Sequence, residues 1–343
     1  MSNSGPHRRY NPLLDEWVLC SPQRLDRPWQ GLVESSAPAP AASYDPQCYL
    51  CPGNTRANGE TNPNYTSTFA FDNDFPALVP QSSGPARDDG LFVSTPERGV
   101  CRVLCFTPRH DLTLARMRAN DVRSVIDLWA TESEALAARG GIGYVQLFEN
   151  KGAMMGCSNP HPHAQIWATE HVPTAPARKQ RAQHAYAATH TGDLLGDYLD
   201  AELQGGERVV SSNEHWTALV PFWAVWPYQT MLLPRRRVTT LPELSRAERD
   251  DLAAMLGEVT RRYDALFATD TPYSLTWSPA PIGAPVSDRS WRLHGELFPP
   301  LLRSAGVRKF LVGYELAAEP QRDLTPEAAA ERLRAAHPGP SPS

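Results

Sequence analysis

The sequence predicts an α+β protein built of two similar halves, with antiparallel strands flanked by helices. Three observations lead there: strand-like and helical stretches occur in the same order twice, matching landmarks recur at a near-constant separation, and the strands are short with turn residues at their ends. Pro108 and Pro234 stand 126 residues apart, and His161 and His294 stand 133 apart.

The first half runs from a strand over 99–106 through Thr107-Pro-Arg-His110 to a helix over about 120–139. A strand over 144–148 and the segment His161-Pro-His-Ala-Gln-Ile-Trp167 follow. Val122, Ile126 and Trp129 give the helix its apolar spacing. The second half repeats the order. Strands over 216–220 and 229–233 lead into Pro234-Arg-Arg-Arg237, and a helix over about 245–267 carries Leu252, Met255, Leu256 and Val259 on one stripe. A strand over 273–277 and Trp291-Arg-Leu-His-Gly-Glu-Leu-Phe298 close the repeat. A helix over about 179–203 is expected to join the halves. The chain is expected to end in a strand over 309–314 and a helix with Thr325 as N-cap and Pro326 at its first position. The segment 33–43, rich in Pro, Ala and Ser, reads as a linker or loop. The expected division is 1–175, 176–337 and a disordered tail over 338–343.

With 343 residues, 41% of them hydrophobic, the chain can bury one large core or two domain-sized ones. Its net charge is −5 and its arginines are dispersed, which leaves no basic footprint for nucleic acid. No apolar run is long enough to span a bilayer and the first residues lack the apolar core of a signal peptide, so a cytoplasmic protein without a membrane partner is expected. In that compartment Cys20, Cys48, Cys51, Cys101, Cys105 and Cys157 are expected as buried thiols or metal ligands rather than disulfides. Lysine occurs only at 151, 179 and 309, and each is expected to mark a place suited to a compact ammonium.

The chemistry concentrates at His161-Pro-His-Ala-Gln165. In an extended strand, residues two apart share a face, which sets His161, His163 and Gln165 in a row. Pro160 and Pro162 cannot donate to a ladder, so an edge or bulged strand is expected. The preceding 150–158 is a glycine-containing loop suited to turning backbone N–H groups toward phosphate. Cys48-Tyr-Leu-Cys51 has the spacing of a zinc knuckle, although such a pair also occurs as plain buried thiols.

The stretch Phe148-Glu-Asn-Lys-Gly-Ala-Met-Met-Gly-Cys-Ser-Asn-Pro-His-Pro-His-Ala-Gln-Ile-Trp167 closely resembles the active-site signature of galactose-1-phosphate uridylyltransferases, members of the histidine-triad-like superfamily. The likeness runs nearly end to end and includes Arg8-Arg-Tyr-Asn-Pro12, Arg27-Pro-Trp-Gln-Gly31, Asn73-Asp-Phe75 and Glu214-His-Trp216, with Pro299-Pro-Leu-Leu-Arg-Ser304 through Arg322-Asp-Leu-Thr325. Ala164 stands where the family typically has Gly. The resemblance implies two histidine-triad-like halves, a homodimer, and ping-pong transfer of UMP between UDP-glucose or UDP-galactose and glucose 1-phosphate or galactose 1-phosphate.

By that resemblance His163 is the nucleophile, a role that suits an imidazole because it is largely neutral at pH 7 and both attacks and leaves phosphorus readily. Histidine-triad hydrolases carry a third His where Gln165 stands. An amide cannot shuttle a proton, so Gln165 favours transfer over hydrolysis. The resemblance also implies a structural zinc held by Cys48, Cys51, His110 and His161, with Cys101 and Cys105 as buried thiols. It puts Asn73 and Asp74 at uridine and Asn150, Gly156, Cys157, Ser158 and Gln165 around the phosphates. Lys309, Tyr314, Glu315 and Gln321 fall at the hexose phosphate, and Arg24 and Arg27 reach in from the partner subunit. Some relatives hold a second metal at the positions matching Lys179, Ser278, His294 and Glu296. An ammonium and a hydroxyl are poor ligands there, so no second metal is expected, and Lys179 is expected to pair with Glu296. An ADP-sugar phosphorylase or adenylyltransferase would use the same His163 chemistry, and an idle nucleotide- or zinc-binding module would keep the fold alone.

Overall fold

The computed structural model describes residues 5–25, 42–81, 84–283, 289–302, 304–340 and 342. Arg27 and most of the proposed loop over 33–43 lie outside the described residues.

The first half contains β1 (His7–Asn11), β2 (Glu16–Cys20), β3 (Phe69–Asp72), β4 (Arg87–Asp88), β5 (Val93–Ser94), β6 (Gly99–Cys105), α1 (Ala119–Ala137), β7 (Tyr144–Lys151) and β8 (His163–Thr169). Two helices, α2 (Thr174–Ala187) and α3 (Leu194–Gly205), lead to the second half. There β9 (Val209–Ser212), β10 (Trp216–Leu219), β11 (Thr230–Pro234), α4 (Arg246–Phe267), β12 (Tyr273–Ser278) and β13 (His294–Phe298) follow in turn. A short α5 (Tyr314–Ala317), β14 (Gln321–Arg322) and α6 (Pro326–Ala335) end the chain.

One nine-stranded antiparallel sheet runs through both halves in the order β3-β6-β8-β7-β12-β13-β11-β10-β9. The order is nearly palindromic about the β7–β12 pair, so β8 between β6 and β7 has its counterpart in β13 between β11 and β12. This is the duplication expected from the repeated order of elements. Strands β1 and β2 form a separate small sheet with β14.

Helices α1 and α4 lie against one face of the large sheet. Val122, Val125, Ile126 and Trp129 of the first join Leu252, Met255, Leu256 and Val259 of the second in one buried cluster with Leu147, Ile166, Leu232, Leu275 and Leu297 from the strands. Each such aliphatic side chain contributes about 1.5–3 kcal/mol relative to exposure. Helix α4 starts at a capping box, in which Ser245 accepts from the Glu248 N–H and Glu248 accepts from the Ser245 N–H. It stops where Ala268 turns into the left-handed region. Thr325 caps α6 as expected, accepting from the Ala328 N–H with Pro326 at the first position.

Three expectations need correction. The joining helix is two helices, because Asp193 caps a fresh N-terminus by accepting from the Gly196 N–H. Strand β8 is interior rather than at an edge: it is paired on both sides and begins at His163, so the prolines at 160 and 162 precede the ladder and remove no donor from it. The segment 309–314 is no strand. The Lys309 N–H bonds to the Pro300 carbonyl and Gly313, at φ 56, turns the chain into α5, leaving Phe310 and Val312 exposed.

Candidate active site

Strict alternation along β8 buries Ala164, Ile166 and Ala168 in the core and leaves His163, Gln165 and Trp167 half-buried on the opposite face. Its neighbour β7 adds Phe148 opposite Gln165 and Gln146 opposite Trp167, with Asn150 two residues further along the same face. His161 is absent from the row because the strand starts after it. It is buried elsewhere, and its carbonyl accepts from His163 Nδ1 at 2.8 Å. A carbonyl only accepts, so this bond puts the proton on Nδ1 and leaves the Nε2 lone pair free. Burial lowers the His163 pKa, which keeps the ring neutral. Gln165 is oriented in a similar way. Its Oε1 accepts from Trp167 Nε1 at 3.1 Å and from Asn73 Nδ2 at 3.5 Å, so its NH2 group is the end left to donate to a ligand.

The glycine loop follows β7. Gly152 and Gly156, at φ 85 and 75, flank a single 3-10 turn, Ala153–Met155, that a side chain at either position would strain. Gly156 and Ser158 are exposed, and the Cys157 thiol donates to the Asn159 carbonyl. Asn150 accepts from the Ser274 hydroxyl at 2.6 Å, tying the first half's loop to the second half's strand. Asn73 reaches Gln165, whereas the Asp74 carboxylate is engaged by Arg56 at 3.2 Å. Arg56 and Asn159 were not visible as site residues in the sequence. Asn159 donates to Cys48 Sγ and accepts from the His161 N–H, and its place between Ser158 and the prolines was the only signal.

Cys48, Cys51, His110 and His161 are all buried, with their ligand atoms within 4.8 Å of one another. Cys51 Sγ lies 3.6 Å from His110 Nδ1 and 3.5 Å from His161 Nδ1. Bonds of about 2.3 Å to sulfur and 2.0 Å to nitrogen at the tetrahedral angle give an S···N edge of roughly 3.5 Å, so the cluster already has the dimensions of a tetrahedral metal site. Burial pushes the Cys51 thiol up to about 11, with the neighbouring Cys48 adding to the effect, so a Cys51 thiolate calls for a cation beside it. Burial also holds His161 neutral, with its pKa lowered to about 4. The His161 Nε2–H donates to the Thr107 carbonyl at 2.9 Å, which turns Nδ1 toward the sulfurs. Cys101 and Cys105 are buried outside the cluster.

The second half presents a matching row on β13, His294, Glu296 and Phe298, and His294 Nδ1 is anchored to the Arg292 carbonyl at 3.0 Å just as His163 is to that of His161. Here, however, the Lys179 ammonium of α2 fills the space across from Nε2. It lies 2.9 Å from His294 Nε2, 3.0 Å from Ser278 Oγ and 3.1 Å from Glu296 Oε2, so the expected Lys179–Glu296 pair is present. Away from both rows, Arg24, Lys309, Tyr314, Glu315 and Gln321 line one cleft of about 620 Å³. Arg24 pairs with Asp323, and Glu315 accepts from Lys309, Arg322 and the Gln321 N–H.

Comparison with known proteins accords with this geometry. Residues 1–173 match the N-terminal domain family of galactose-1-phosphate uridyl transferase, and residues 179–338 match its C-terminal domain family. Galactose-1-phosphate uridylyltransferase of Rattus norvegicus is 54% identical over 331 residues, covering 96% of this chain and 87% of the rat protein. The Haemophilus influenzae protein of the same name is 50% identical, covering 96% and 94%. Among solved structures, a uridylyltransferase superposes with a TM-score of 0.77 at 27% identity, covering 96% of this chain and 97% of the other. An ADP-glucose phosphorylase from Arabidopsis thaliana reaches 0.75 at 19% identity over 96% and 99%, a likeness of fold alone. No helix among the described residues is long and apolar enough to cross a membrane.

Proposed function

This chain belongs to the galactose-1-phosphate uridylyltransferase family and is a nucleotidyltransferase, and from that premise we propose that it moves UMP between UDP-glucose and galactose 1-phosphate through a covalent uridylyl-histidine at His163. The observation that carries the reading is the free Nε2 of His163, held beside Gln165 by the Nδ1 bond to the His161 carbonyl.

Nε2 attacks the α-phosphorus of UDP-glucose, and the bond from that phosphorus to the bridging oxygen breaks. Glucose 1-phosphate leaves with the electron pair, and as a stable phosphate it needs no proton from the protein. The imidazole becomes cationic in the adduct, and its Nδ1–H to the His161 carbonyl spreads that charge. Galactose 1-phosphate then attacks the same phosphorus, which restores neutral His163 and forms UDP-galactose. The Gln165 NH2 group donates to the phosphoryl oxygens in both steps and offers no proton that would favour water as acceptor. Asn150, Gly156, Cys157 and Ser158 hold the phosphates, and Asn73 with Asp74 hold uridine.

Zinc is the metal proposed for the Cys₂His₂ cluster, because the donor set and its tetrahedral size suit that ion. It ties the Cys48–Cys51 turn and the His110 segment to the backbone two residues before the nucleophile, so its role is structural. The halves divide at about residue 175, and the enzyme works as a homodimer in which Arg24 and Arg27 act across the interface. Arg24 shares its cleft with Lys309, Tyr314, Glu315 and Gln321, so a partner that supplies the arginine supplies the hexose-phosphate contacts with it.

Incubation with UDP-glucose, UDP-galactose or ADP-glucose, read by intact mass, tests the chemistry. UDP-sugars should leave one uridylyl group, discharged by sugar 1-phosphate. An adduct from ADP-glucose alone would reassign the base. Mixing an Arg24→Ala chain with a His163→Asn chain should restore activity lost in both, and no recovery would place the arginine's action within one chain.

A further inference from the structure

The glycine loop rests on a buried carboxyl that none of the chemistry above uses. Glu149 precedes Asn150 on β7, and the strand's alternation puts it on the opposite side from the reactive row, fully enclosed beneath the loop. Its Oε2 lacks a hydrogen bond of good geometry, and the buried Tyr273 hydroxyl of β12 is the neutral donor close enough to act on the carboxyl. Lys151, two residues along the same face, is engaged by other acceptors: the ammonium donates to Asp270 Oδ1 at 2.5 Å and to the Thr271 carbonyl, with Asp264 Oδ1 at 4.0 Å. Arg116 stands 3.9 Å from Asp270. From the loop itself the Cys157 thiol lies within reach of the Glu149 charge, which would raise its pKa.

Charge balance separates the three carboxyls. Lys151 and Arg116 match Asp264 and Asp270, and Asp264 also accepts from the Thr271 N–H at 2.8 Å. Neither cation is left to pair directly with a third carboxylate, and a buried anion helped by one hydroxyl and a distant ammonium is costlier than a neutral acid. We propose that Glu149 is a positioning residue held as the neutral acid beneath the phosphate loop, and that its ionisation weakens phosphate binding by setting an unmatched negative charge under residues 152–158. The proposal rests on the reading above for the presence of phosphates at that loop. Burial pushes the Glu149 pKa up to about 8, against partial opposition from Lys151, so the change falls in the mildly alkaline range. Because the folded value lies above the ordinary one near 4.5, stability linked to this group is complete below about pH 4.5 and is lost as the pH rises through about 8.

Two measurements test it. The KM for UDP-glucose should rise roughly three- to tenfold as the pH passes about 8, with kcat nearly constant, and in Glu149→Gln it should stay flat. The same alkaline rise in the variant overturns the proposal. In the unsubstituted chain with ¹³C-labelled glutamate, the infrared C=O band of a protonated carboxylic acid should persist at pH 7 and titrate away near 8. This second measurement survives a variant that fails to fold, and absence of the band at pH 7 overturns the proposal outright. Because the band reports Glu149 without substrate, a chain that keeps it yet never forms a uridylyl adduct counts against the functional reading alone.

Discussion

The two strands that flank the central β7–β12 pair of the large sheet, β8 and β13, present the same arrangement and differ in what faces it. Each sets a histidine, an amide or carboxyl, and an aromatic ring at alternate positions, and each anchors Nδ1 of its histidine to the carbonyl two residues earlier. No described group hydrogen-bonds Nε2 of His163, and the ring is half-buried. His294 is fully buried with the Lys179 ammonium against Nε2, and burial with that neighbouring charge lowers its pKa to about 3. Backbone geometry therefore makes both histidines presentable, and the occupant of the space across from Nε2 decides which one is free for chemistry.

The contrast is broken most sharply by exchanging the two histidines for asparagine in turn. His163→Asn should abolish adduct formation and lower the transfer rate by at least about 10⁴-fold, whereas His294→Asn should leave uridylylation of the folded fraction intact and lower only stability. Adduct formation by the His163 variant would falsify the assignment of the nucleophile.

Next in size is the Cys₂His₂ cluster, present beside the β8 histidine and, among the described residues, without a counterpart beside β13. Cys51→Ser should remove the bound metal and cost on the order of 4–5 kcal/mol, seen as a large fall in Tm with a smaller change in kcat per folded molecule. Full metal retention, measured by elemental analysis, would take Cys51 off the ligand set.

The stopper on the β13 row can be tested by itself. Lys179→Met leaves the buried Glu296 carboxylate without its cation and should destabilise by about 3 kcal/mol, and adding Glu296→Gln should recover most of that loss. Equal denaturation midpoints for the single and double variants would mean that the pair is not coupled. The smallest effect is expected at the amide of the active row, where Gln165→His should raise the ratio of UDP-glucose hydrolysis to transfer by a few-fold, since an imidazole can manage the proton of water. An unchanged ratio would assign the exclusion of hydrolysis to shielding from water instead.

Much of this contrast was legible in the residues. The repeated order of elements, the apolar stripes of α1 and α4, the Thr325 cap, the Cys48–Cys51 spacing and the alternation that sets His163 beside Gln165 are local patterns, written within one turn, helix or strand. Each follows from periods of 2 or 3.6 residues or from a cap a few residues long, so a short window contains the whole signal. The resemblance to the uridylyltransferases supplied roles for residues whose chemistry alone left alternatives open.

What only the tertiary structure decided depends on partners far away in the chain. Prolines at 160 and 162 suggested an edge, yet pairing with β6 and β7 makes β8 interior, because a proline one residue before the ladder costs it nothing. Apolar residues over 309–314 suggested a strand, but among the described residues no strand pairs with them. The three acceptors around Lys179 come from positions 99, 115 and 117 residues further on, and Glu149 is an ordinary strand residue until the fold buries it beside Tyr273 and Asp270. Sequence determines locally what a residue can do. Ladder order, burial and the charge of a facing group arise from long-range packing, and those decide whether a histidine is a nucleophile or a satisfied core residue, and whether a glutamate keeps its proton.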